Sequence, residues 1–285
     1  MESNIVKSYV FLGDHPGKHL LVLGAIHGNE ICGTRAMERL IKEIEGGKIA
    51  LRTGKVTFVP LCNPKAYENK TRYFEENLNR VFKDHPLPLT YEQRLANEIT
   101  PFFESADYLL DIHSQHVDGE PFCLIDDDSK AFVDFVSALC PKHVFFDWNT
   151  LYPDGDYTTE SFARSLNMVA TTIECGKHNN PKSIEVAYQA ILRAMRFLGL
   201  IDPVETSDFT PFEPIYMTQV HRYQEAAEIA KPWQHLDPVT KGDLLARYKG
   251  GQEVRAAHDG FVVFPMQEAP SVGDEWFYLA ANKRL

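Results

Sequence analysis

The chain has 285 residues, 44% of them hydrophobic and 24% charged, enough for one large core or a core with a small second domain. Its 29 basic and 40 acidic residues leave a net charge of −11, which argues against a general nucleic-acid or anionic-membrane surface. No run approaches the ~20 apolar residues of a membrane span, and residues 1–7 lack the basic-then-apolar layout of a signal peptide, so a cytoplasmic location is expected.

In chain order, Tyr9-Val10-Phe11-Leu12 and the turn Gly13-Asp14-His15-Pro16-Gly17 predict an edge strand leading into a buried one over residues 20–24. Apolar positions at helical spacing predict a helix over 31–44, ended by Gly46-Gly47, and then a second strand over 55–61. That strand runs into Asn63-Pro64-Lys65-Ala66, and residues 67–89 lack periodicity and read as a long functional loop. Thr90 and Gln93 form a capping box opening a helix that Pro101 kinks or terminates. Strands follow over 108–114, 121–125, 143–146 and 168–173, with helices over 129–139 and 161–166 between them. Ile184, Ala187, Tyr188, Ile191, Leu192, Met195 and Leu198 recur at helical spacing and close this part. Three prolines and four acids over 202–214 read as a linker. Beyond it, short β-like runs over 215–220, 244–248, 261–264 and 276–280 alternate with Gly-Asp, Gly-Gly and Asp-Gly turns, the pattern of a small barrel-like β domain.

The alternation of strand and helix makes the first part an α/β domain, and its polar punctuation falls at strand ends: His27 with Glu30, Asn63, His113 and Glu174. Open α/β sheets bind ligands there. A His-x-x-Glu match alone is weak and often a solvated helix start. Several such placements in one domain carry more weight. Two histidines and one carboxylate make a catalytic zinc set with a position left for water, whereas structural sites use four ligands, mostly cysteine. Glu174, on a separate strand, could serve as the base, and the long loop supplies Arg72 and Arg80 for recognising carboxylates. The five cysteines (Cys32, Cys62, Cys123, Cys140, Cys175) are scattered and never spaced Cys-x-x-Cys, so they read as reduced core thiols, Cys175 included.

Four blocks in order resemble the succinylglutamate desuccinylase/aspartoacylase family, relatives of the zinc carboxypeptidases. They are Gly24-Ala25-Ile26-His27-Gly28-Asn29-Glu30; Asn63-Pro64-Lys65-Ala66 with Thr71-Arg72-Tyr73 and Asn77-Leu78-Asn79-Arg80-Val81-Phe82; Asp111-Ile112-His113-Ser114; and Thr172-Ile173-Glu174-Cys175-Gly176. The resemblance implies a three-layer αβα domain with a mixed sheet over 1–201, the linker, and an appended β domain over 215–285. It implies one zinc per chain, held by His27, Glu30 and His113, with Glu174 as general base and acid. Arg72 would polarise the scissile carbonyl, while Asn79 and Arg80 would grip a substrate carboxylate. Arg164 is a candidate for a second carboxylate-binding arginine, and Tyr278 and Tyr216 are candidates, by type, for a substrate-binding tyrosine. Asn77 departs from the acid that many members carry there, and a carboxylate orienting an arginine would be lost.

The activity implied is hydrolysis of the amide of a small anionic N-acyl amino acid. A carboxypeptidase-like peptidase or peptide amidase is the alternative, and a non-catalytic zinc-containing binding module a third. No nucleic-acid or membrane partner is expected, and a homo-oligomer is compatible with this reading. Asp111 either orients a ligand imidazole or bonds nearby backbone. His116 reads as a loop histidine bonded to solvent or substrate, and His221, His235 and His258 as structural or surface residues.

Overall fold

The computed structural model describes residues 6–152, 155, 157–203 and 211–284. Strand β1 (Tyr9–Leu12) turns at Gly13-Asp14 into β2 (His15–Gly24), whose last six residues are buried, as an unbroken apolar run in a central strand requires. Helix α1 (Cys32–Glu45) buries Ala36, Met37, Leu40 and Ile41 along one stripe and ends at Gly46. After β3 (Thr53–Val59), the expected loop opens with a short helix, α2 (Pro64–Asn69). Asn63 caps it by accepting from the Ala66 N–H, with Pro64 at the first helical position. A 3-10 turn at Leu78–Arg80 interrupts the rest of the loop. In α3 (Tyr91–Ile99), Thr90 accepts from the Gln93 N–H as expected, but the Gln93 side chain accepts from Leu89 N–H, one residue beyond the capping-box partner. Pro101 lies in a 3-10 turn after the helix has ended.

There follow β4 (Tyr108–Gln115), β5 (Phe122–Leu124), α4 (Lys130–Leu139), β6 (His143–Phe146), α5 (Thr159–Ser165), β7 (Val169–Lys177) and α6 (Pro181–Phe197). Side chains alternate across β4, so Tyr108 and Ile112 point one way, Asp111 and His113 the other. A Cβ on Gly33 of α1 would lie 2.7 Å from the Ile112 Cβ, and Phe135 of α4 and Phe197 of α6 pack on the Tyr108 ring. Those three helices therefore cover the first face. On the opposite face, the Thr159 hydroxyl of α5 donates to Asp111 at 2.5 Å. The result is a three-layer αβα arrangement.

The C-terminal segment is β throughout: β8 (Glu213–Arg222), β9 (Glu228–Ile229), β10 (Asp237–Val239), β11 (Leu244–Arg247), β12 (Glu253–Arg255), β13 (Gly260–Val263) and β14 (Glu275–Ala281). Its strands divide between two sheets. An eleven-stranded mixed sheet runs β1-β3-β2-β4-β7-β5-β6-β8-β14-β13-β10, and β12-β11-β9 form a small antiparallel sheet. Glu213 and Pro214, expected in the linker, already pair with His143 and Val144 of β6; residues 204–210 of that linker lie outside the described residues. The main sheet thus continues past the expected linker into the C-terminal β segment. One core cluster joins both parts, with Phe122, Leu124 and Phe145 against Ile215, Met217, Val263 and Tyr278. Among the described residues, no helix is long and apolar enough to cross a membrane.

Phe145 is fully buried in this shared cluster, so Phe145→Ala should cost about 3–5 kcal/mol. Urea unfolding followed by circular dichroism and by tryptophan fluorescence should shift together. A variant that moves only the fluorescence transition would show that the two parts do not share a core.

Candidate active site

The site is built where β2, β4 and β7 end. After Gly24 the chain reverses through Ala25, which adopts the left-handed conformation (φ 49°). Its turn is pinned by the Cys62 and Asn63 N–H groups, which donate to the Gly24 and Ala25 carbonyls. A Cβ on Gly28 would lie 2.0 Å from the Ala66 carbonyl carbon, and the Gly28 N–H donates to the Arg72 carbonyl at 3.2 Å. Only glycine permits this approach, which clamps the His27–Glu30 turn against the segment carrying Arg72. His113 and Glu174 stand opposite one another in the register of parallel strands β4 and β7.

These connections bring His27, Glu30 and His113 together, each about 2% exposed. One donor atom from each falls within 4.8 Å of the others. Nδ1 of His27 lies 2.9 Å from Glu30 Oε1, and Nδ1 of His113 lies 3.0 Å from Oε2. The short His27 contact nevertheless lacks hydrogen-bond geometry, and Nδ1 has no hydrogen-bond partner among the described residues. Its lone pair is aimed at the space the three groups share. The far nitrogens are both occupied: His113 Nε2 meets Asp111 Oδ2 at 2.9 Å and His27 Nε2 meets Asn77 Oδ1 at 3.1 Å. These oxygens accept, so each ring carries a proton on Nε2. His27 presents an unpartnered Nδ1 inward, while His113 Nδ1 points inward to Glu30 Oε2 at 3.0 Å. Inward Nδ1 atoms backed through Nε2 are the arrangement metal-binding histidines adopt. Asp111 therefore bonds the His113 imidazole and the Thr159 hydroxyl. Two imidazoles and a carboxylate fit zinc.

Burial pushes the Glu30 carboxyl up, but His27 and His113 outweigh it and hold the group well below the usual carboxylate range. Glu174 goes the other way: burial first, then the neighbouring Glu30 charge, raises it to about 8. A dication among the three ligands would lower it again, since it favours the charged form. Glu174 Oε2 is buried with no hydrogen-bond partner among the described residues. Burial also drives the Cys175 thiol well above its ordinary range, leaving it no nucleophile's character.

A cavity of about 610 Å³ opens over this floor, lined also by Arg72, Asn79 and Arg80. Arg72 is 44% exposed and donates from Nη1 to Glu30 at 3.1 Å. Arg80 is more heavily engaged. It donates to the Asn79 carbonyl at 2.7 Å, to Glu275 at 2.9 Å and to the Tyr152 hydroxyl at 3.4 Å. Tyr152 also donates to Glu275 at 2.6 Å and lies 3.1 Å from the Tyr278 hydroxyl. Burial raises the Glu275 carboxyl, but Arg80 outweighs it and holds the group at about 2.

A model of the succinylglutamate desuccinylase/aspartoacylase catalytic domain matches residues 16–198. The chain belongs to the succinylglutamate desuccinylase/aspartoacylase family. It is 27% identical to a succinylglutamate desuccinylase of Idiomarina loihiensis over 289 aligned residues, 88% of this chain and 79% of that protein. A shorter match, 28% over 134 residues, relates 43% of the chain to 42% of the aspartoacylase of Rattus norvegicus. In fold it is similar to a succinylglutamate desuccinylase/aspartoacylase from Rhodobacter sphaeroides (TM-score 0.77, 18% identity, 96% of this chain and 88% of that one). It is similar too to the product-bound ectoine utilization protein DoeB from Ruegeria pomeroyi (TM-score 0.76, 22% identity, 96% and 88%).

Several sequence assignments need correction within this family frame. Asn63 is fully buried and caps α2, donating its amide to Glu92 at 3.1 Å, so it is structural. Arg164, on α5, is not among the described residues lining the cavity and pairs with Asp126 at 3.2 Å. Tyr216 stacks on Phe146 away from the cavity, whereas Tyr278 lines it. His116 is an exposed loop residue that lines the cavity, as expected. The Asn77 oxygen accepts from His27 and from the Asn79 N–H at 2.9 Å.

Sequence reasoning missed Tyr152 and Glu275. Strand alternation puts Glu275 and Tyr278 on opposite faces, but the pairing of β14 with β8 shifts register between Glu275 and Phe277, and such a bulge re-aims side chains. Glu92 was missed too. Fully buried in α3, it accepts from Asn63 and from the N–H groups of Phe74, Glu75 and Glu76, thereby fixing the loop that carries Arg72 and Arg80. Glu92→Ala leaves those buried donors unsatisfied and should cost about 3 kcal/mol or more. Its denaturation midpoint measures this, and a shift near zero would mean that the loop does not depend on Glu92.

Proposed function

We propose that this family member is a zinc-dependent deacylase that hydrolyses the amide bond of an N-acyl amino acid. The observation that carries the reading is the convergence of His27, Glu30 and His113 beside Glu174, a half-buried residue with one buried, unengaged carboxylate oxygen. Zinc, when bound, supplies a Lewis acid and brings the pKa of water near 7. Glu174 takes the proton from the attacking water and passes it to the leaving amine, one carboxylate acting first as base and then as acid. Arg72, tethered to Glu30 by a single hydrogen bond, turns to the carbonyl oxygen and donates to the developing oxyanion. Asn79 and Arg80 hold the substrate carboxylate, and the Glu275 contact keeps the Arg80 fork fixed in one orientation.

Glu275 and Tyr278 bring β14 into the cavity wall. A wall on that side favours a small acyl amino acid over the longer chain of a peptide, the alternative substrate. A binding module has no use for a desolvated carboxylate beside the metal ligands, which sets the non-catalytic reading aside.

Purified protein should contain about one zinc per chain and should turn over at least one of a panel of N-acetyl, N-formyl and N-succinyl amino acids. Glu174→Gln should keep the zinc and lose about 10²–10⁴-fold in kcat. Arg72→Ala should lose about 10²–10³-fold, mainly in kcat. Undiminished turnover by Glu174→Gln would remove Glu174 as the base, and absence of zinc would remove the mechanism.

A further inference from the structure

The two imidazoles of the metal centre are backed differently. His113 rests on the Asp111 carboxylate, while His27 rests on the neutral amide of Asn77. The orientation of that amide follows from the backbone. Asn79 N–H is a donor, so the atom 2.9 Å away must be the Asn77 oxygen. The same oxygen faces His27 Nε2 at 3.1 Å, so Nε2 must carry the ring proton. The lone pair is thereby left on Nδ1, the atom that points toward Glu30 and His113. A single amide oxygen thus fixes the tautomer of one ligand and caps the 3-10 turn bearing Asn79 and Arg80.

We propose that Asn77 is a positioning residue that joins the metal centre to the substrate-binding turn and, being uncharged, leaves His27 a weaker donor than His113. This rests on the zinc reading above. Two features make the link mechanical as well as electronic. The backbone just before Asn77 is held by Glu92 through Phe74, Glu75 and Glu76, so the amide cannot retreat without breaking that clasp. On the far side of the turn, Asn79 Oδ1 accepts from the Thr159 N–H at 2.9 Å, and the Thr159 hydroxyl donates to Asp111. The turn is therefore attached to the supports of both histidines. Metal loading fixes His27, hence Asn77, hence Asn79; by linkage, occupancy of the turn acts back on the metal with equal strength.

The test is zinc affinity of the full chain, read by competition with a chromophoric chelator, in the wild type, Asn77→Ala and Asn77→Asp. Loss of a group that supports a ligand histidine typically weakens metal binding about 10–100-fold, the result expected for Asn77→Ala. Asn77→Asp keeps the oxygen and adds charge, so zinc should bind more tightly, by up to about 10-fold. Aspartate caps a turn as well as asparagine does. A purely structural cap therefore predicts no change in Asn77→Asp, and an unchanged affinity overturns the proposal even if Asn77→Ala fails to fold. As a second readout, zinc should slow hydrogen exchange of the Asn79 amide in the wild type; exchange indifferent to zinc overturns the coupling. A wild-type chain that binds no zinc overturns the metal reading and this proposal together, whereas zinc binding indifferent to residue 77 overturns this proposal alone.

Discussion

A carboxylate with almost no access to water faces two equally buried imidazoles, and the rest of the site is arranged around that fact. Burying an ion costs several kcal/mol unless it is paired and hydrogen-bonded. Here the cost is compounded, because Asp111 is fully buried behind His113, and Glu174 stands opposite His113 in the sheet. Three acids thus share one floor, and burial, followed by the neighbouring Glu30 charge, raises Glu174 to about 8. Protonating His113 relieves only one charge, and the inward-facing Nδ1 of His27 is still left without a hydrogen-bond partner among the described residues. A dication answers both problems at once.

The scaffold explains why the floor is stable enough to be used. Parallel pairing of β4 with β2 and β7 sets the heights of His113 and Glu174, and the bare backbone at Gly28 lets the His27 turn press against the start of the long loop. The loop then returns over the cavity under the hold of Glu92. The far wall comes from the other end of the chain, where Glu275 and Tyr278 meet Arg80 and Tyr152. A guanidinium paired with a carboxylate is a poorer electrostatic trap for an anion than a free one, but it is a better-ordered one.

Much of this was legible in the sequence. Apolar runs that end on His27, His113 and Glu174 are the direct imprint of strands carrying polar groups at their carboxyl ends, and the helix expected over 31–44 formed as α1 over Cys32–Glu45. What was not legible depends on tertiary geometry. Asn63 marks a strand end as His27 does, yet whether such a residue faces the cavity or caps a helix is decided by the turn that follows. Arg164 lies one turn from the cavity-lining Glu160 and on the same helix face, so helical spacing alone could not show that it pairs with Asp126 outside the described cavity lining. Glu275 reaches Arg80 across 195 residues through a strand irregularity. The continuity of the main sheet past residue 202 was hidden because composition reports a linker but not the hydrogen bonds made beyond it.

The claim on which everything else depends is that nitrogen and oxygen atoms of His27, Glu30 and His113 surround the metal. Thiolate is the competing donor type for zinc, and Cys32 lies near the site but donates its S–H to the His113 carbonyl at 3.4 Å. Zinc K-edge X-ray absorption on the loaded chain separates the two cases. Nitrogen and oxygen scatterers at about 2.0–2.2 Å, with histidine outer-shell features and no sulfur, are predicted. Sulfur at about 2.3 Å would contradict the assignment.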